Sequence, residues 1–178
     1  MVKRDLQLGD VMVNNVSVDL AALYPALKQF SSEVRKDRRL AVPPADSVTV
    51  HSRECGSQLT LDGRINDERI GEIGYKVRAC SLGQASTAIV ARHAVGLDRL
   101  TAERVEAQLL AILAGSAVDC EWPELEIFTL IKDVPVRHGS VLLPFDALRQ
   151  LFIRAGILLA EVAEMPVPTP ATTGAEEQ

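Results

Sequence analysis

At 178 residues the chain is long enough for one domain with a real core, and a second full domain is not expected. Hydrophobic residues make up 47% and charged residues 24%, ordinary values for a globular protein, while an aromatic content of 4% leaves the core to Ala, Val, Ile and Leu. The formal net charge of −5 argues against a dedicated nucleic-acid binder, no apolar run approaches the roughly 20 residues of a membrane span, and the basic start lacks the apolar segment of a secretory signal, so a cytoplasmic protein is expected.

In chain order, residues 1–20 alternate apolar and polar positions around Asn14-Asn15, as a loose strand pair or a variable N-terminal arm. Leu20, Leu23, Leu27, Phe30 and Val34 recur at helical steps, with Pro25 in the first turns. The basic run Arg35 to Arg39 is expected to close that helix against its dipole, and Pro43-Pro44 to break the chain. From Ser47 the period becomes two, and strands are expected over 47–51, 58–62 and 70–77, with Gly63 and Asn66-Asp67-Glu68 as turns. After Cys80 a small-residue helix runs toward Gly96. Thr101 is the expected cap of a helix over 102–113 with a stripe of Val105, Leu109, Ile112 and Leu113, ended by Gly115. Pro123 opens a short helix to Ile131, and Pro144 a long one burying Leu148, Leu151, Phe152, Leu158 and Val162. The proline-rich tail over 166–178 is expected to be disordered, which leaves residues 21–165 as the domain. This order predicts an α+β fold, a small antiparallel three-stranded sheet with helices packed on one face.

Three cysteines (Cys55, Cys80, Cys120) are too few and too scattered for a disulfide framework, and no pair of Cys or His has metal-ligand spacing. Taken singly, each reads as a small buried hydrophobe. Cys55 and Cys80 nevertheless both sit at strand ends beside glycine or small residues, and a helix begins directly after Cys80, where free amides favour a thiolate.

Three blocks carry a resemblance. Arg53-Glu-Cys-Gly-Ser-Gln-Leu-Thr-Leu is similar to the first ligand loop of the NifU/IscU/SufU iron–sulfur scaffold family. Ile73-Gly-Tyr-Lys-Val-Arg-Ala-Cys-Ser-Leu-Gly-Gln-Ala-Ser resembles the second. The stretch from Pro123 to Arg137 looks like the SufU-type insertion, and Phe145-Asp-Ala-Leu148 continues the match. The resemblance implies a SufU/IscU-like fold and three cysteines and an aspartate that bind Zn²⁺ or a [2Fe–2S] cluster. It also implies a cysteine desulfurase as sulfur donor and iron–sulfur proteins as acceptors.

The chain departs from that pattern in two ligands. Where the family has its aspartate, two residues after the first cysteine, this chain has Ser57. Anchored on Pro135-x-Arg137 and Ala147-Leu148, the third cysteine falls on Ser140; a slip of one residue places His138 on the family's histidine and Gly139 on the cysteine. In either register the third thiolate is lost, and a neutral hydroxyl is a far poorer ligand. The expected metal residues are then Cys55, Cys80 and His138, holding an iron–sulfur cluster or zinc that is transient or absent. Cys120 matches no ligand. The expected function is a non-enzymatic scaffold or accessory protein. The alternatives are a degenerate paralogue acting as a metal-free interaction module, and an enzyme with a nucleophilic thiol at Cys80, which lacks a convincing base.

Overall fold

The computed structural model describes residues 10–13, 16–34, 37–40 and 45–157; the expectations for the tail, for Leu158 and Val162 and for Pro43-Pro44 lie outside them. A short hairpin, β1 (Asp10–Val13) and β2 (Val16–Asp19), precedes α1 (Leu20–Glu33). The main sheet is an antiparallel meander in the order β3 (Asp46–His51), β4 (Gln58–Asn66), β5 (Arg69–Arg78). Then follow α2 (Ser81–His93), α3 (Arg99–Leu113), two 3₁₀ segments (Pro123–Ile131 and Pro135–Arg137) and α4 (His138–Arg154). The architecture is the α+β fold expected from the sequence.

Period-two alternation decides which face of the sheet is covered. Val48, Val50, Leu59, Leu61 and Tyr75 share the inner face through the cross-strand pairs Val48↔Leu61 and Leu61↔Tyr75, and all are buried. On the opposite face Thr49 and Thr60 bond one another. α4 lies across β3 and β4 and brings the fully buried Leu148, Leu151 and Phe152; α2 fills the space between α1 and α4. Cys120 is also buried, a core residue.

Four local expectations need correction. Gly63 lies inside β4, where the Leu151 side chain occupies the space of a Cβ; the turn is at Asp67 and Glu68, both at positive φ (49° and 60°). α3 is capped by Asp98, whose carboxylate accepts from the Thr101 amide at 2.8 Å, so Thr101 is inside the helix and not its cap. The basic run does not simply finish α1: Arg38 pairs with Tyr75 at the edge of β5, and Arg39 donates to the wholly buried Asp62 (Nη2–Oδ1 2.8 Å). Burial raises the Asp62 carboxyl, but bonds from Arg39, Ser47 and the Leu40 amide outweigh it and hold the group below the ordinary carboxylate range. Finally, α4 starts at His138, and Pro144 is within it. Pro144 has no N–H to give to the carbonyl four residues back, which is that of Ser140.

Candidate functional site

The first cysteine is set by a hairpin loop. His51 pairs with Gln58 at the ends of β3 and β4, the Ser52 amide donates to the Ser57 carbonyl (2.9 Å), and the Gly56 amide to the Ser52 carbonyl (3.1 Å). A chain that closes so tightly needs a left-handed residue, and Gly56 supplies it at φ +66°. Cys55 is thereby turned back over the loop's own hydroxyls. Cys80 follows the end of β5 and forms the N-cap of α2, with no side chain capping the helix. Gly83, one turn on, lets α2 approach α4 closely: a Cβ there would be 3.0 Å from the Ser140 carbonyl oxygen and 2.8 Å from Ala79 Cβ.

These elements converge on the Ser140 hydroxyl in the first turn of α4. Its Oγ lies 2.8 Å from Cys55 Sγ and 3.5 Å from Cys80 Sγ. Ser57 Oγ is 3.0 Å and Ser52 Oγ 3.3 Å from Cys55 Sγ, and Ser57 is 3.4 Å from Ser140. Of the three residues expected from the sequence, Cys55 and Cys80 are thus brought together. His138 is not with them: its Nε2 is 3.0 Å from the Ile131 carbonyl oxygen, and it does not line the depression beside the thiols. Of the two register positions, Ser140 contacts both cysteine sulfurs, whereas a Cβ at Gly139 would meet Glu54 Oε2 at 2.6 Å and Ser52 Oγ at 2.9 Å. Ser52 was not anticipated. Its only sequence signal is its place as the residue that closes the 52–57 loop against Ser57.

A solved structure of a NifU-like protein (N-terminal part) from Brucella abortus is 27% identical to this chain, with a TM-score of 0.69 over 76% of this chain and 95% of that one. In fold and in part of its sequence the chain is similar to the NifU/IscU/SufU-type family. A solved iron–sulfur cluster assembly scaffold protein for the SUF system, from Fervidobacterium islandicum AW-1, shares the fold at 19% identity, with a TM-score of 0.59 over 71% of this chain and 93% of that one. No family model and no curated protein matches the chain.

Within this NifU-type fold the Cys55 thiol has an unusual environment. Burial pushes its pKa up, but bonds from the hydroxyls of Ser140, Ser52 and Ser57 and from the Ser57 amide outweigh this and bring it from 9.0 down to about 7. Proton counting sharpens the cause. A thiol has one hydrogen and cannot serve three hydroxyls, whereas a thiolate can accept from several. With the thiol protonated, Ser52 donates to Glu54 Oε2 at 3.0 Å and accepts from Cys55 Sγ at 3.3 Å; to donate to the thiolate its hydroxyl has to leave Glu54. Ser57 and Ser140 are left to hold the thiolate. Iodoacetamide should therefore alkylate Cys55 at a rate that rises with pH through a midpoint of about 7. Mass-spectrometric rates across pH 5–10 check this. A midpoint at the ordinary 9.0 would mean that the hydroxyls do not donate to the sulfur. Cys120 moves oppositely: burial pushes its thiol up, which makes it an internal reference for the same experiment.

The donor set does not match a resident four-ligand metal. Among the described residues no group of three or more His, Cys, Asp and Glu side chains is arranged to hold an ion. Two sulfurs can supply two thiolates, and the serines at 57 and 140 bring neutral oxygens where the family's pattern has a carboxylate and a thiolate.

Proposed function

We propose that this protein serves iron–sulfur cluster assembly as a scaffold-type accessory whose Cys55 and Cys80 form a half-site that a partner completes. The observation that carries the reading is the shared Ser140 hydroxyl, which holds both thiols together at one edge of the sheet beside an open depression. Iron, zinc or a transient cluster is cargo here and not a resident cofactor, and the protein carries it without turning over a substrate. His138 would join the thiols only after its ring leaves the Ile131 carbonyl. A cysteine desulfurase is the expected sulfur source, iron–sulfur proteins are the expected acceptors, and the setting is cytoplasmic. The scaffold named among the solved relatives supports this role.

Anaerobic protein should be analysed for iron and sulfide, alone and after incubation with a cysteine desulfurase, cysteine, ferrous iron and reductant. Retention is expected to be slight alone, substantial with the desulfurase, and lost in the Cys55→Ala, Cys80→Ala double variant. If the desulfurase co-elutes but iron and sulfide do not, the protein is a metal-free interaction module, the reading favoured by the two hydroxyls at ligand positions. If neither associates, the assembly role is wrong.

A further inference from the structure

The same substitutions that weaken a cation site build the opposite kind of site. The depression beside the thiols, about 410 Å³, is lined by Cys55, Gly56, Ser57, Arg78, Ala79, Cys80 and Arg137. Among the described residues its lining contains no carboxylate. Neither guanidinium has a partner among the described residues. That is unusual for this chain, where most arginines are paired, as Arg39 is with Asp62 and Arg104 with Glu121. The loop's carboxylate, Glu54, does not line the depression: its Oε2 accepts from Ser52 Oγ at 3.0 Å, and that Oγ lies 3.3 Å from Cys55 Sγ.

Backbone polarity has the same sign. α2 begins at Ser81 and α4 at His138, both at this depression, and neither has an acidic residue in its first turn or a side-chain cap. Their dipoles therefore add positive potential to that of the arginines, although at α4 the His138 amide is already bonded to the Pro135 carbonyl. A thiolate at Cys55 would offset one of the two guanidinium charges and leave the depression cationic while Cys80 remains a thiol. The geometry points to a binding site for a small tetrahedral oxyanion, of the size and chemistry of sulfate, thiosulfate or phosphate, held between Arg78 and Arg137 over the thiols. Planar guanidinium forks suit such oxygens, whereas a carboxylate at position 57 and a further thiolate at position 140 would repel them. This inference is independent of the scaffold role, since it concerns the isolated protein with no metal and no desulfurase.

Cys55 itself reports on the site. Metal-free protein is alkylated with iodoacetate, an anion, and with iodoacetamide, its neutral analogue, and the rate at Cys55 is read by peptide mass spectrometry. Relative to the same ratio in unfolded protein, the iodoacetate-to-iodoacetamide ratio should rise on the order of tenfold, the low end of what charge-lined clefts achieve. Arg78→Gln and Arg137→Gln should each lower it. Sulfate, thiosulfate and phosphate should protect Cys55 saturably, with chloride at equal ionic strength as the screening control; whichever of the three saturates lowest names the preferred oxyanion. Arg78 is exposed, so its variant should keep the native melt even if Arg137→Gln disturbs the fold. A ratio equal to that of unfolded protein, a ratio that Arg78→Gln leaves unchanged, or protection by chloride equal to that by the oxyanions would each overturn the proposal.

Discussion

Ser57→Asp combined with Ser140→Cys should turn a weak zinc binder into a strong one and make the protein's melting temperature depend on zinc. Both positions contact Cys55 Sγ, at 3.0 and 2.8 Å, so the new carboxylate and thiol arise beside the existing thiols without a backbone shift. Together they restore the two missing anionic ligands to a site whose complete form binds zinc with about 10–16 kcal/mol. The sign of the stability change depends on the metal. Without zinc, Ser57→Asp places a carboxylate at a position only 4% exposed, next to a sulfur that favours negative charge, so the variant should melt below the parent. At zinc a thousandfold above Kd, binding adds about 4 kcal/mol, or roughly 8–16 °C for a chain of this size. The parent should shift much less. A chelator competition titration gives the affinities and calorimetry gives the melts. Equal zinc affinity in parent and variant would sink the ligand assignment. Ser57→Asp with Gly139→Cys is the control: Gly139 faces Glu54 and Ser52, so a thiol there should not help.

The sheet was legible because β-branched and polar residues alternate with period two, which decides the inner face before any contact is known. Val48, Val50, Leu59 and Leu61 follow it without exception. Boundaries were less legible, each for a local reason. Asp98 competes with Thr101 as a cap, and its carboxylate wins because three residues separate it from the amide it accepts. Pro144 looks like a helix start, yet α4 begins six residues before it, since burial of Val141, Phe145 and Leu148 outweighs one missing backbone bond. Arg39 looks like a solvated helix end until Asp62, 23 residues away, is seen buried beneath it.

The candidate site was half legible. Cysteines carry chemistry that draws attention at any spacing, so Cys55 and Cys80 could be paired through a family resemblance. Serines do not. Ser57 and Ser140 stand out only as the places where the family's aspartate and third cysteine are missing, Ser52 carries no such mark, and the 52–57 loop with the first turn of α4 gathers all three around one sulfur. His138 misleads for the converse reason. It is adjacent in sequence, but a helical step of two residues from Ser140 turns its ring to the opposite side, onto the Ile131 carbonyl. Arg78 and Arg137 become meaningful only when their lack of partners among the described residues can be seen.

Phe152→Ala should destabilise the fold far more than removal of either site cysteine, and this contrast separates packing from chemistry. Phe152 is fully buried on α4 beside Leu148 and Leu151, the residues that seat the helix on β3 and β4. Truncating such a ring costs about 3–5 kcal/mol, since the cavity it leaves is walled by rigid sheet and helix. Against a total stability of about 5–15 kcal/mol, that loss should lower the melt by roughly 6–20 °C. Cys55 and Cys80 are both only half-buried, and Cys55 keeps its bonds chiefly with hydroxyls that can turn to one another or to water. Cys55→Ala and Cys80→Ala should therefore melt near the parent in metal-free buffer while losing any bound iron or zinc. Cys120→Ala, which empties a buried position, should fall between the two groups. If the Cys55 and Cys80 variants instead melt as early as Phe152→Ala with no metal present, the thiols are packing residues. The fold would then have kept its cysteines for stability, and its function would have to be sought on another surface.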